Sequence, residues 1–191
     1  MSGGRYPTGL DEEALRAADA PGRFRTVGLT LLSVAMVVWA FSPGIGLWGR
    51  LPDRVPIHFG PSGRPDGWAP KSFFSVFGML VVVAAVLGLM ALLSRLSPKW
   101  CNFPGKDRML RLPPHQQEHV VAPIREAVAW TFAGVTVALS LIARQGWAVA
   151  LGERESVSSV LGFATIPVAL IPVLVGTLAA RARIRRFEES A

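Results

Sequence analysis

Apolar residues in this chain fall in long unbroken blocks, not at the alternating or every-third-or-fourth spacing of half-buried soluble elements. Four blocks stand out, at residues 26–48, 73–93, 127–143 and 157–180. A helix needs about 20 apolar residues to cross a bilayer, and the second block carries no charge anywhere along it. The third is the shortest, but Arg125 and Arg144 at its ends can reach the headgroups while their stems stay in the apolar layer. The pattern predicts an all-α integral membrane protein. It is a bundle of four transmembrane helices, with an ordered Pro/Gly-rich outer loop between helices one and two. Residues 1–25 form a polar N-terminal segment, 26–181 the membrane domain and 182–191 a basic tail.

Punctuation within the blocks refines this. Pro43 and Gly44 mark a frayed outer end of helix one. Pro167 and Pro172 interrupt helix four and free the carbonyls of Phe163 and Val168, with Thr165 placed to satisfy one of them. Small residues mark plausible helix contacts: Ala85 with Gly88, Ala133 and Gly134 with Ala138, and Gly162 with Ala169. No Asp, Glu, Lys or His lies in the middle of any block, so a proton or ion relay lacks its usual parts.

Composition agrees with a bilayer as the surrounding medium. Charged residues are 17% of the chain, below the roughly 25% of soluble domains. The net charge of +7 sits beside the apolar blocks, where it sets orientation, so no nucleic-acid partner is expected. Fourteen of the twenty Lys and Arg residues fall on one side, including Arg5, Arg16, Arg95, Lys106 and the run Arg181–Arg186. That side is expected to be cytoplasmic, which places both termini inside the cell membrane and residues 43–72 and 145–156 outside. Trp48, Trp68, Trp100 and Trp147 fall near the interfaces, as an aromatic belt would. The preference for Arg over Lys points to a GC-rich bacterial genome. Cys101 is the single cysteine, so neither an internal disulfide nor a cysteine-based zinc site can form, and a free cytoplasmic thiol is expected. No cofactor is expected.

The outer loop, LPDRVPIHFGPSGRPDGWAPK from Leu51 to Lys71, is where chemistry concentrates. Its five prolines each fix φ. Val55 to Phe59 reads as a short extended run, Gly60 to Gly63 as a turn, and Arg64 to Gly67 (RPDG) as a second, type I turn. His58, Asp66, Trp68 and Lys71 are the candidate ligand- or partner-binding residues, with His58 able to sense external pH. A metal held by Asp53, His58 and Asp66 is a further reading, on a spacing that is not diagnostic. The structural reading has Asp66 capping a turn and pairing with Arg64 or Lys71. On the inner side, HQQEH (His115 to His119) matches the H-x-x-E-H pattern of inverted zinc proteases, with Glu118 as base. It reads equally as a polar first turn behind Pro113 and Pro114.

The run LP..VPIHF...G.PDGW..K resembles the signature of the bacterial SdpI-type membrane protein family, within its N-terminal domain of unknown function 1648. NFPGKDRM, Asn102 to Met109, is similar to that family's Asn-apolar-Pro-x-Lys-acid segment, and Asn102, Pro104, Lys106 and Asp107 are the matching positions. The resemblance covers residues 26–145. It implies a non-enzymatic sensor or immunity-type protein, with a secreted peptide or envelope protein meeting the outer loop and a cytoplasmic regulator meeting the inner loop. Two other readings stand beside it: an accessory or scaffold subunit of a transporter or envelope complex, and a membrane metallohydrolase using HQQEH.

Overall fold

A computed structural model describes residues 12–93, 98–100 and 102–189. Cys101, Arg5 and Arg95 lie outside the described residues. The chain forms helix α1 (Glu12–Leu47), strands β1 (Arg54–Phe59) and β2 (Pro65–Pro70), helix α2 (Phe73–Leu93) and a 3₁₀ turn (Pro98–Trp100). Helices α3 (Lys106–Met109), α4 (Pro114–Ala150) and α5 (Ser159–Glu189) complete it. Three of these, α1, α4 and α5, are long and apolar enough to cross a membrane. Helix α2 has no charged residue in its 21, but over its described side chains, Phe73–Leu89, it is shorter than that length.

The helices outrun the apolar blocks. Helix α4 has 37 residues, and at 1.5 Å per residue it is about 55 Å long against a hydrocarbon core of about 30 Å. An apolar run reports only the lipid-facing stretch. The polar ends of α1, α4 and α5 stay helical because they pack on each other beyond it, as the ion pairs described below show. Helix α4 is central and packs against α1, α5 and α2, while α2 also supports β1.

The outer segment corrects the all-α expectation. Strands β1 and β2 pair antiparallel, Arg54 with Pro70, Val55 with Ala69, Pro56 with Trp68, His58 with Gly67 and Phe59 with Pro65. The GPSG run is the turn of this hairpin, closed by Gly63 N–H to the Gly60 carbonyl at 2.8 Å and Gly60 N–H to the Arg64 carbonyl at 2.9 Å. The RPDG run is not a second turn but the first half of β2. The sequence favours the strand because Pro65 and Pro70 occupy the two ends of β2, where a missing donor costs least. Gly67 is needed opposite His58, since a Cβ there would lie 2.9 Å from the His58 Cβ. The register breaks on either side of His58, as a bulge does when it re-aims a side chain.

Two buried clusters hold the ends of the bundle. The outer one joins Ala40, Leu51, Val55, Val76, Phe77, Leu80, Ala143 and Trp147. Phe77 is its hub, with ring centroids 5.4 Å from Phe41, 5.3 Å from Phe73 and 5.7 Å from Trp147. Trp147 is therefore a core residue and not part of an aromatic belt; its indole N–H donates to the Val76 carbonyl at 3.1 Å. The inner cluster joins Phe103, Met109, Val120, Val121, Ala180 and Ile184.

Close helix approach falls partly elsewhere than the small-residue pairs suggest. A Cβ at Gly134 would lie 2.3 Å from Val168 Cγ1, whereas Gly88 and Gly162 face open space. The tightest unforeseen approaches are at Gly44, against Phe77 and Trp147, and at Gly176, against Ala127 and the Pro123 carbonyl. Pro43 and Gly44 thus lie inside α1, not at a frayed end.

Backbone contact ties the two outer loops together. Val157 N–H donates to the Gly63 carbonyl at 2.9 Å. Gly63 has φ +77°, and a Cβ there would lie 2.0 Å from the Val157 carbonyl oxygen. Gly152, at φ +74°, faces open space. Both glycine-to-alanine changes carry the left-handed penalty of about 1 kcal/mol. Gly63→Ala is expected to destabilise the detergent-solubilised protein by clearly more than Gly152→Ala in thermal unfolding, because it also opens the contact between loops.

Candidate functional site

The hairpin is held from below. Lys71 Nζ donates to the Leu51 carbonyl at 2.9 Å and the Trp48 carbonyl at 3.4 Å, and lies 5.8 Å from the Trp48 ring centroid. Lys71 N–H donates to the Asp53 carbonyl at 2.7 Å. The lysine therefore closes the base of the hairpin on the turn that follows α1 and does not project towards a ligand. Ser72 and Ser75 close the other side, with Ser75 N–H donating to Ser72 Oγ at 3.1 Å and Ser72 N–H to Ser75 Oγ at 2.8 Å. This reciprocal pair satisfies donors at the start of α2.

Above that base, His58 and Asp66 come together. His58 Nδ1 lies 2.5 Å from Asp66 Oδ1, with the two side chains 71% and 53% exposed. Asp66 thus pairs with His58 and not with Arg64 or Lys71. Arg64 reaches across instead to Glu155 at 3.4 Å, and Arg50 to Glu153 at 3.5 Å. Exposed pairs of this kind contribute little to stability, about 0–1 kcal/mol. Trp68 and Ile57 are both exposed on the same hairpin. The result is a polar pair flanked by apolar surface on a rigid support. The outer-loop candidates divide accordingly: His58, Asp66 and Trp68 share the exposed hairpin, and Lys71 belongs to its foundation.

The inner segment has a different construction. Gly105 at φ 107° begins the single turn of α3, and Lys106 N–H donates to the Phe103 carbonyl at 3.1 Å. Phe103 and Met109 are buried in the inner cluster, while Asn102, Pro104 and Asp107 are exposed and Lys106 is half-buried. The apolar pair pins the segment and leaves the polar matching positions at its rim. Phe103 and Met109 escaped the sequence reading because single apolar residues in a polar loop carry no periodicity.

HQQEH lies in the first two turns of α4, and its last residue, His119, meets side chains of α1 and α5. His119 Nδ1 is 3.0 Å from Asp19 Oδ2, and Arg183 Nη1 is 3.0 Å from Asp19 Oδ1. The Asp19 side chain is 7% exposed, so α1, α4 and α5 share one nearly buried charge cluster. Arg183 Nη1 also donates to the His119 carbonyl. Pro123 explains why that carbonyl is available, because it lacks the N–H that would otherwise reach back four residues. Glu118 is paired with Arg125 at 2.6 Å. Among the described residues, no three His, Cys, Asp or Glu side chains converge as a metal site would require.

The same arrangement recurs at the outer end. Pro43 frees the Trp39 carbonyl, which accepts from Ser42 Oγ at 3.0 Å and Arg144 Nη1 at 3.3 Å. The Arg144 guanidinium lies 4.0 Å from the Trp39 ring centroid. On α5, Thr165 bonds the Gly162 carbonyl at 2.5 Å, not that of Phe163 or Val168, and Thr131 of α4 bonds the Ala169 carbonyl at 3.1 Å.

Residues 28–84 match a domain of unknown function, DUF1648. The match takes in the apolar part of α1, the whole hairpin and the first half of α2. No curated protein and no solved structure matches the chain.

Arg183→Gln leaves the nearly buried Asp19 carboxylate with His119 as its remaining partner and takes the guanidinium from the His119 carbonyl, and is expected to cost on the order of 3 kcal/mol. In a Pro123→Ala background the restored backbone N–H satisfies the His119 carbonyl. The cost of Arg183→Gln should then fall by about 1 kcal/mol. A double-mutant cycle on thermal or denaturant unfolding in detergent measures this coupling, and additive effects would refute the assignment of Arg183 to that carbonyl.

Proposed function

We propose that this chain is a bacterial cell-membrane protein crossing four times, with α2 as the fourth span and both termini in the cytoplasm. We read it as a non-enzymatic sensor or immunity-type protein of the kind the SdpI-type family includes. Its outer hairpin meets a secreted peptide or envelope protein, and its basic inner segment, with Lys106 and Asp107 at the rim, meets a cytoplasmic regulator. The observation that carries this reading is the exposed His58–Asp66 pair on a hairpin fixed from two directions, by Lys71 below and by Val157 at its turn. A segment with no binding task has no need of such fixing, since loops are ordinarily the mobile and tolerant part of a fold. The non-enzymatic reading is supported by the engagement of Glu118 with Arg125 and of His119 with Asp19. The accessory-subunit reading differs in placing the partner on the helices, away from the hairpin.

Topology is tested in a Cys101→Ser background with Ser62→Cys or Asp107→Cys, using a membrane-impermeant maleimide on intact cells. The first is expected to label, and the second only after permeabilisation. Retention of the chain in the membrane pellet after alkaline carbonate is expected for either. The recognition site is tested by affinity purification from native membranes, comparing the wild type with His58→Ala/Asp66→Ala. A partner recovered with the wild type and lost from the variant supports the hairpin. One retained in both moves the interface to the helices and overturns the sensor reading.

A further inference from the structure

A basic cleft of about 500 Å³ opens between the inner segment and α5. Arg108 stands on one wall and Arg181 and Arg185 on the other, and no acidic residue lines it. Arg181 and Arg185 are one turn apart on the same face of α5, an arrangement of like charges that costs free energy unless an anion lies between them. Both are exposed. Arg108 is already positioned, since its Nε donates to Glu188 Oε1 at 2.7 Å. The two-point pair with Glu188 fixes the Arg108 guanidinium but also offsets its charge, so Arg181 and Arg185 supply most of the positive charge of the cleft.

The cleft's position in the fold narrows the occupant. Arg181 immediately follows Ala180, the last residue of the apolar block, so the arginines begin where the hydrocarbon ends. Leu178 lines the same cleft and is 52% exposed, one helical turn towards the apolar side. The opening therefore has a cationic half for a phosphate and an apolar edge for an acyl chain. We infer that this cleft binds the phosphate of an anionic lipid headgroup, held by Arg181 and Arg185 with Arg108 opposite, the acyl chain running past Leu178. The inference rests on the membrane placement proposed above.

The test uses the full-length chain in mild detergent, mixed with equal amounts of dioleoylphosphatidylglycerol and dioleoylphosphatidylcholine and read by native mass spectrometry. Phosphatidylglycerol adducts are expected to exceed phosphatidylcholine adducts several-fold. Arg181→Gln/Arg185→Gln should bring the ratio of the two adducts close to one, because each basic residue near an anionic surface contributes about 1 kcal/mol. Arg54→Gln/Arg154→Gln removes the same charge from the other side and should leave the preference unchanged. A preference that persists in the first variant, or falls equally in the second, overturns the site. Displacement of the lipid by equimolar inorganic phosphate assigns the cleft to a free anion and overturns the lipid. Should the double variant not extract as a monodisperse protein, the single substitutions are read in the same way. Failure here leaves the carbonate and labelling results untouched, so the two readings fail separately.

Discussion

A carbonyl that a proline has stripped of its helical partner must find a donor elsewhere, and in this molecule two such carbonyls fix how helices meet. Pro123 exposes the His119 carbonyl to Arg183 of α5, and Pro43 exposes the Trp39 carbonyl to Arg144 of α4. Away from water an unsatisfied backbone group costs about 1–3 kcal/mol, so each proline turns a smooth helix side into a specific acceptor. Charge alone would be less selective, because an arginine near a membrane surface can find many anions. One contact lies near the inner end of the bundle and one near the outer end, so α4 is fixed to α5 at one and to α1 at the other. Gly44 and Gly176 lie within one or two turns of Trp39 or Ala180, where the helices approach too closely for a Cβ.

The Asp19–His119–Arg183 cluster shows how the polar helix extensions gain their stability. Burying one carboxylate is costly, but here it faces a guanidinium and an imidazole from two other helices. Removing the guanidinium would leave the carboxylate without its cation, and removing the imidazole would take away a second hydrogen-bond partner, which makes the cluster a means of specifying which helices meet. Within HQQEH it is His119 that joins this cluster, through its side chain to Asp19 and its carbonyl to Arg183.

What the sequence discloses follows from the range of its signals. Apolar blocks report the lipid-facing stretches, and so α1, α4 and α5 were legible as membrane helices; the polar start of α4 behind Pro113 and Pro114 was legible too, while the continuation of α5 to Glu189 was not. The extended run at Val55–Phe59 and the GPSG turn were legible because both are local. The strand at Pro65–Pro70 was not, because RPDG satisfies a type I turn locally and only the pairing with β1 decides otherwise. His58 and Asp66 stood out as exposed polar residues in a rigid segment, but their partnership depends on register. Trp147 was misread for a similar reason: position near an interface does not reveal that Val76 and Phe77 of another helix surround it. Arg183 and Asp19 are 164 positions apart, and no pattern within the chain links them.

The tie between the hairpin turn and the start of α5 is made by main-chain atoms, the Val157 N–H and the Gly63 carbonyl. Apart from Gly63 itself, the side chains around it take no part in the bond. Ser62 and Ser156 can therefore differ in size and charge without breaking this bond, and the exposed Arg64–Glu155 pair adds little to it. A frame of this kind separates the docking of the two loops from the identity of the side chains that the turn presents.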